Sequence, residues 1–196
     1  MNRINKLFNE KKQNILSLYF CAGHPTAGTT ANIIRTLAAR GIDMLEIGIP
    51  FSDPMADGPV IQDAATKALR NGMNLHRLFE ELKDIRQDVE IPLILMGYLN
   101  PIFHYGFEAF CQSCADCRID GVIIPDLPFR DYMETFKPIA DRHGLKIIML
   151  ITPETSEERI TCSTEERLRW KKCSRCISMA LRKRYQPKKR KNSRSM

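Results

Sequence analysis

The sequence predicts an α/β fold in which helices cover a parallel sheet. Five short, almost continuously apolar segments alternate with segments whose apolar residues recur at helical spacing. Strands that are apolar on both faces are typical of parallel sheets buried under helices. A hydrophobic share of 43% and a charged share of 27% exclude a wholly disordered chain. No segment reaches the roughly 18 to 20 uninterrupted apolar residues that a membrane-spanning helix needs.

The elements follow one another in βα order. The first predicted strand, 15–20, is followed by a loop of Ala, Gly, His and Pro, and a helix is predicted over 29–40, where Gly41 provides a stop. The other predicted elements are, in order, a strand over 43–49, helices over 61–70 and 75–87, a strand over 91–98, a helix over 107–117, a strand over 121–125, a helix over 132–143 and a strand over 146–151. This is the order of repeated βαβ units.

Two observations favour a TIM (βα)8 barrel over a doubly wound sheet. No Gly-x-Gly-x-x-Gly follows the first strand, where a dinucleotide-binding fold would place its phosphate turn. Polar residues instead lie in or soon after successive strands, namely Glu46, Asp53, Asp57, Asn100 and Asp126. Because a barrel brings the carboxyl ends of its strands to one site, these side chains are expected to converge there.

Glu46 is the strongest candidate for chemistry. It lies within the second strand between Leu45 and Ile47, where burial is expected to raise the pKa of its carboxyl toward neutrality and suit it for proton transfer. The alternatives are a Glu on a solvent-facing side of the strand and a Glu paired with a Lys. Asp57 is weaker by itself, since Asp-Gly in a loop is usually turn chemistry.

The run of eighteen residues over 45–62, LEIGIPFSDPMADGPVIQ, closely resembles the signature of the tryptophan synthase alpha chain family. Segments 20–25, 96–101 and 123–128 resemble further family segments, and the resemblance extends from about residue 7 to residue 160. The family is a (βα)8 barrel that splits indole-3-glycerol phosphate into indole and glyceraldehyde 3-phosphate. The resemblance therefore implies a carbon–carbon lyase of tryptophan biosynthesis.

The resemblance also implies roles for individual residues. Glu46 would act as general acid and base at indole C3 and the departing hydroxyl, and Asp57 would accept the indole N–H. Phe20 and Leu127 match positions that wall the indole pocket, and Tyr98 lies close to it.

A partner subunit is implied in the same way. The loop around Asp53 and Pro54 corresponds to the one that faces the beta chain, with which the family forms an alpha2beta2 tetramer. Pyridoxal phosphate would belong to that beta chain, and the alpha chain itself would need no cofactor or metal. Another phosphate-binding barrel is the alternative enzyme class, but the strand ends offer no catalytic Lys.

The net charge of +7 is concentrated at one end of the chain. Residues 161–196 hold thirteen Lys and Arg against two Glu, a charge of +11, whereas residues 1–160 have a charge of −4. We therefore expect a partial (βα)8 barrel over 1–160 and a poorly ordered basic tail over 161–196. A nucleic-acid-binding module is the alternative for the tail, but only Trp170 and Tyr185 could stack on bases, so a nucleic-acid partner is disfavoured.

The barrel itself is predicted to be incomplete. A (βα)8 barrel takes about 250 residues, and about five βα units account for the chain up to residue 160. The family's glycine-rich phosphate loops have no counterpart over 161–196, where the abrupt change of composition resembles a change of reading frame. We expect a C-terminally truncated family member with little or no turnover, and a non-catalytic product is the alternative function.

The cysteines predict a reducing compartment and no metal site. Seven cysteines, an odd number, accompany an N-terminal apolar run whose bulky Tyr19 and Phe20 do not suit a cleavage site, so a cytoplasmic protein is expected. The spacings Cys111-x2-Cys114-x2-Cys117 and Cys173-x2-Cys176 occur in zinc and iron–sulfur sites. Three cysteines at i, i+3 and i+6 of a predicted surface helix do not easily converge on one metal.

Overall fold

A computed structural model describes residues 2–152, 155–157 and 159–160. Its contacts divide the chain into two units, Met1–Met149 and Leu150–Met196. In the second unit, the backbone N–H of Thr152 donates to Thr155 Oγ1 over 2.8 Å. The predicted basic tail over 161–196 lies outside the described residues, and the fold below is that of the first unit.

The first unit contains a parallel five-stranded sheet in the order β1-β2-β3-β4-β5. Its strands are β1 (Ser17–Cys21), β2 (Met44–Gly48), β3 (Leu93–Met96), β4 (Gly121–Ile123) and β5 (Lys146–Ile148). The five predicted strands are confirmed. Each strand pairs with the next one along the chain, as in a barrel, whereas a doubly wound sheet reverses its strand order at a switch point.

Helices alternate with these strands. They are α1 (Arg3–Glu10), α2 (Thr30–Ala39), α3 (Pro59–Arg70), α4 (Leu75–Leu82), α5 (Leu99–Tyr105), α6 (Phe107–Asp116), α7 (Phe129–Asp131) and α8 (Lys137–Arg142). A 3-10 turn, Ile85–Gln87, follows α4 and completes the predicted helix over 75–87, and a π-helical turn, Tyr132–Phe136, joins α7 to α8 and forms the first part of the predicted helix over 132–143. Among the described residues, none of the helices is long and apolar enough to span a bilayer.

Helices α1 and α5 and the three-residue α7 were not predicted. In α5, Pro101 occupies the third helical position, within the first turn, where a missing backbone N–H costs little. Gly106, with φ of 91°, then separates α5 from α6, because a residue in this left-handed conformation cannot continue the helix. The Asn100-Pro101 pair after β3 therefore lies inside a short helix.

The sheet has an outer and an inner apolar face. The outer face packs under the helices in one buried cluster that includes Leu45, Ile47, Leu95 and Val122. The alternate residues face inward, and a Cβ on Gly121 would lie 3.1 Å from Ile4 Cδ1 and 3.2 Å from Ile148 Cδ1. Helix α1 therefore covers the inner face beside β4 with an apolar side chain.

A buried ion pair lies beside the amino ends of β3 and β4. Arg86 Nη2 donates to Asp120 Oδ2 over 2.5 Å, and both side chains are 3% exposed. The same carboxylate oxygen accepts the backbone N–H of Leu93 over 3.0 Å. Asp120 Oδ1 accepts the backbone N–H of Arg3 over 3.3 Å. Asp120 therefore connects α1, the 3-10 turn and the start of β3.

The four cysteines among the described residues are buried free thiols. Burial raises the pKa of Cys111 to about 12 and those of Cys21 and Cys117 to about 11, and it raises the pKa of Cys114 further above its ordinary value. The predicted helix over the cysteine motif is confirmed, but its cysteines face the core.

We expect these four thiols to resist alkylation in the folded protein. The thiolate is the nucleophile, and a thiol with a pKa of about 11 is only about 0.1% thiolate at pH 8. Peptide mapping by mass spectrometry after a brief iodoacetamide treatment should find them unmodified natively and modified in guanidinium chloride. Native labelling of Cys114 at the denatured rate would contradict the packing of α6.

Candidate active site

Glu46 lies on the inner face of β2. Its register partner on β1 is Tyr19, and its partner on β3 is the buried Ile94. The carboxylate is half-buried and accepts a hydrogen bond from Ser17 Oγ over 2.7 Å at Oε1. The sequence left open whether Glu46 faces inward, faces solvent or pairs with a Lys. In the structure it faces inward, and its carboxylate is bonded to a hydroxyl.

Asp57 is bound to Tyr98. Asp57 Oδ2 accepts a hydrogen bond from Tyr98 Oη over 3.1 Å, and the backbone N–H of Ala56 donates to the same hydroxyl over 3.0 Å. Burial raises the pKa of Tyr98, and the neighbouring Asp57 charge raises it further. The Phe51 ring lies 5.4 Å from the Tyr98 ring. Tyr98 therefore holds the loop after β2 against the start of α5.

The Tyr19 hydroxyl is affected by the charges of both carboxylates. Its pKa is raised chiefly by burial, and the charges of Asp57 and Glu46 both raise it further, so Tyr19 lies within electrostatic range of each. A Cβ on Gly48 would lie 2.1 Å from Tyr19 Oη, which places this hydroxyl directly over the Gly48 backbone. The Tyr19 hydroxyl therefore lies on the inner face toward the carboxyl end of β2, on the side where the Asp57 loop begins.

The sequence did not single out Tyr19, which lies on the inner face, whereas Phe20 and Leu127, predicted to wall the indole pocket, lie in the outer apolar layer. Phe20 is opposite Ile47, and both belong to the outer apolar layer, because adjacent residues of a strand point to opposite faces. Leu127 lies beyond β4, where its backbone turns back to Ile124, and it too is buried in the outer cluster. The residue at the end of β4 that faces inward is Ile123, whose register partner on β3 is Met96.

The other polar residues expected to converge have different surroundings. Asp126 Oδ1 accepts the backbone N–H of Leu99 over 2.8 Å, so it caps the amino end of α5. Asn100 and Asp53 are exposed, and Asp53 accepts a hydrogen bond from Ser52 Oγ. Pro54 is half-buried, next to Met55, which is 96% exposed. The loop over 52–56 therefore presents both polar and apolar surface.

The described residues contain no group of three or more His, Cys, Asp or Glu side chains arranged to hold a metal ion. Cys173 and Cys176 lie outside the described residues. A cavity of about 380 Å³ lies beside the loop after β2, between Phe51, His76 and Tyr105. Its lining does not include Glu46 or Asp57, so this cavity is separate from the carboxylate pair.

Gly48 is required beneath Tyr19. We expect Gly48→Ala to destabilise the fold by about 1 to 3 kcal/mol, because the new Cβ would lie 2.1 Å from Tyr19 Oη and 2.6 Å from Tyr19 Cζ. Urea unfolding measures this cost. In the Tyr19→Ala background the same substitution should cost much less. An equal cost in both backgrounds would mean that the strain does not come from contact with Tyr19.

A parallel sheet whose strands pair in chain order, with helices between them, is the arrangement of the (βα)8-barrel class. The family model described as tryptophan synthase alpha chain matches residues 5–167. The chain belongs to the tryptophan synthase alpha chain family.

Individual relatives agree with this assignment. The tryptophan synthase alpha chain of Bacteroides thetaiotaomicron is 68% identical over 160 residues, which are 82% of this chain and 62% of that relative. The alpha chain of Flavobacterium psychrophilum is 57% identical over 160 residues, again 82% of this chain and 63% of the relative. This chain therefore spans less than two thirds of the length of these relatives.

Solved structures give the same result for the fold. The tryptophan synthase alpha chain of Legionella pneumophila matches with a TM-score of 0.78 at 37% identity. The match covers 84% of this chain and 63% of the Legionella chain. A chain of the tryptophan synthase complex from Pyrococcus furiosus has a TM-score of 0.69 at 35% identity, over 76% of this chain and 61% of its own.

Proposed function

We propose that this chain carries the two-carboxylate site for aldol cleavage of indole-3-glycerol phosphate to indole and glyceraldehyde 3-phosphate. The observation that carries the proposal is the arrangement of two carboxylates about β2: Glu46 lies on its inner face opposite Tyr19, and Asp57, in the loop after it, binds Tyr98. A planar ligand on this inner face could therefore meet one carboxylate at each end. This is what protonation at indole C3 and polarisation at indole N1 require.

The proposed chemistry divides the proton transfers between two carboxyl groups. Glu46 donates a proton to indole C3, and Asp57 accepts the N–H hydrogen bond as positive charge develops on the ring. Glu46 then removes the proton of the side-chain hydroxyl, the carbon–carbon bond breaks, and its electron pair returns to the indole ring. The hydroxyl carbon becomes the aldehyde. Two carboxyls in different surroundings suit this division, since one is bonded to Ser17 and the other to Tyr98.

The walls of the proposed indole pocket differ from those implied by the resemblance. We assign Tyr19 and Ile123 in place of Phe20 and Leu127, because the first pair belongs to the inner face and the second pair to the outer layer. Tyr98 keeps its place beside Asp57. These inner-face residues would hold the ring plane while the carboxylates act on its edge.

We propose a tryptophan synthase beta chain as the partner, in the family's alpha2beta2 assembly. Asp53 and Pro54 lie in the loop assigned to this contact, and the neighbouring Met55 is 96% exposed. Pyridoxal phosphate would belong to the beta chain, and the reaction proposed here uses no cofactor or metal. The proposed location is the cytoplasm, with a barrel domain over 1–160 and a separate basic segment over 161–196.

Indole release under single-turnover conditions tests the proposal. The sequence predicts little turnover, so the purified 196-residue chain should be in excess over indole-3-glycerol phosphate. We expect indole and glyceraldehyde 3-phosphate to form in equal amounts, and faster than in the absence of protein. No indole above that background would contradict the proposed function.

A further inference from the structure

We propose that Ser17 is a positioning residue for the Glu46 carboxylate, an inference that rests on the proposed function of Glu46. Ser17 is the first residue of β1, and its Oγ donates to Glu46 Oε1 over 2.7 Å. Ser17 lies at the amino end of its strand, whereas Asp57 follows the carboxyl end of β2. Ser17 therefore acts through Glu46 and does not contact the reacting atoms.

The strand register fixes the direction in which the carboxylate is held. Glu46 is opposite Tyr19, whereas Ser17 is opposite Met44. The hydrogen bond from Ser17 Oγ on β1 to Glu46 Oε1 on β2 is therefore diagonal, and it holds the carboxylate toward the amino ends of the strands. The Tyr19 hydroxyl lies on the other side, over Gly48.

The neighbours of Glu46 explain why this hydroxyl matters. Its β3 register partner, Ile94, is 2% exposed and offers no side-chain donor. Among the described residues, Ser17 is the hydrogen-bond donor to the carboxylate, and Oε2 accepts no hydrogen bond from them. A hydroxyl–carboxylate bond is charge-assisted and short, so it selects one rotamer of a long side chain. One oxygen is thus fixed, and the other is left for the substrate.

Ser17→Ala and Ser17→Thr test the role of this hydroxyl. Thr keeps the hydroxyl and suits a strand, and Thr66→Ala is a matched control because its hydroxyl bonds only to its own helix at Gln62 O among the described residues. The first readout is the side-chain conformation of Glu46 in the full chain, from three-bond NMR couplings and the carboxyl carbon resonance. The second is single-turnover indole formation. If Ser17→Ala does not fold, Ser17→Cys, a weaker donor of similar volume, takes its place.

We expect one Glu46 rotamer in the unmodified chain, in Ser17→Thr and in Thr66→Ala, and averaged rotamers in Ser17→Ala. Indole formation in Ser17→Ala should fall about tenfold at unchanged half-saturating substrate concentration and recover in Ser17→Thr. An unchanged rotamer in Ser17→Ala, or equal losses in the Ala and Thr variants, would overturn the proposal. If the unmodified chain releases no indole, the proposed function fails, and the NMR couplings alone still decide the role of Ser17.

Discussion

Under the mechanism proposed above, Glu46→Gln should reduce indole formation by about 10²- to 10⁴-fold, the contribution of a general acid and base. Because the chain is expected to turn over slowly, this loss should bring indole formation down to the rate without protein. The amide has the same shape and can still accept the Ser17 hydrogen bond, so the fold and the orientation of the side chain should be retained. An amide does not supply the proton that indole C3 requires. Single-turnover indole release measures the loss.

Asp57→Asn is the comparison for this variant. The Asn side chain keeps an oxygen acceptor for the indole N–H and can still bind the Tyr98 hydroxyl, but it removes the negative charge. We expect a smaller loss, about 10²-fold, because one electrostatic contact in the transition state is weakened. Binding of indole, measured by calorimetry, should change little in either variant. Glu46→Gln at the rate of the unmodified chain would remove Glu46 from the mechanism.

Asp120→Ala should destabilise the fold by about 3 to 5 kcal/mol, because it leaves the guanidinium of Arg86 buried without its counter-charge. It also removes the acceptor for the backbone N–H groups of Leu93 and Arg3. Urea unfolding followed by circular dichroism measures the free energy of unfolding. Since Asp120 precedes β4 and bonds to the start of β3, we expect the first unit to lose stability as a whole.

Asp63→Ala is the matched control, because Asp63 pairs with Lys67 at an exposed position one helical turn away. That variant should change stability by at most about 1 kcal/mol. The double variant Arg86→Met with Asp120→Ala should be more stable than Asp120→Ala alone, since no charge is then left unpaired. Equal effects of Asp120→Ala and Asp63→Ala would mean that the Arg86 ion pair is not buried in solution.

Strand order and the Glu46 position were predictable because each depends on strong local signals. A carboxylate between Leu45 and Ile47 in an apolar segment has few stable positions other than the interior of a barrel. The parallel order follows from the repeated βα units, and the pairing of β1 through β5 confirms it.

The face on which each β1 side chain lies was not predictable from the same signals. The segment around β1 is apolar at successive positions, so its sequence does not show a period of two, and nothing local distinguishes the faces of Tyr19 and Phe20. The register between β1 and β2 determines which of the two side chains faces inward, and it places Tyr19 opposite Glu46. Leu127 was misplaced for a related reason, because it follows the strand end and its backbone N–H turns back to Ile124 O over 3.2 Å.

The partners of polar loop residues could not be predicted from the sequence. Asp126 has the position expected of a site residue, but its carboxylate accepts the backbone N–H of Leu99 and caps α5, a helix the sequence did not predict. Asp57 is the weaker candidate from local sequence alone, since Asp-Gly is usually turn chemistry, and the structure gives it a partner 41 positions away, the Tyr98 hydroxyl. Such long-range contacts have no counterpart in local sequence patterns.

Hydrogen–deuterium exchange at C3 of free indole tests the central claim most directly. Indole has no phosphate, so the measurement depends only on the proton transfer at C3 proposed for Glu46 and the N–H contact proposed for Asp57. Proton NMR in D2O should show the 196-residue chain accelerating loss of the C3 proton signal, and Glu46→Gln should abolish that acceleration. Exchange at the rate of indole alone, or equal acceleration by the chain and by Glu46→Gln, would contradict the assignment of the site.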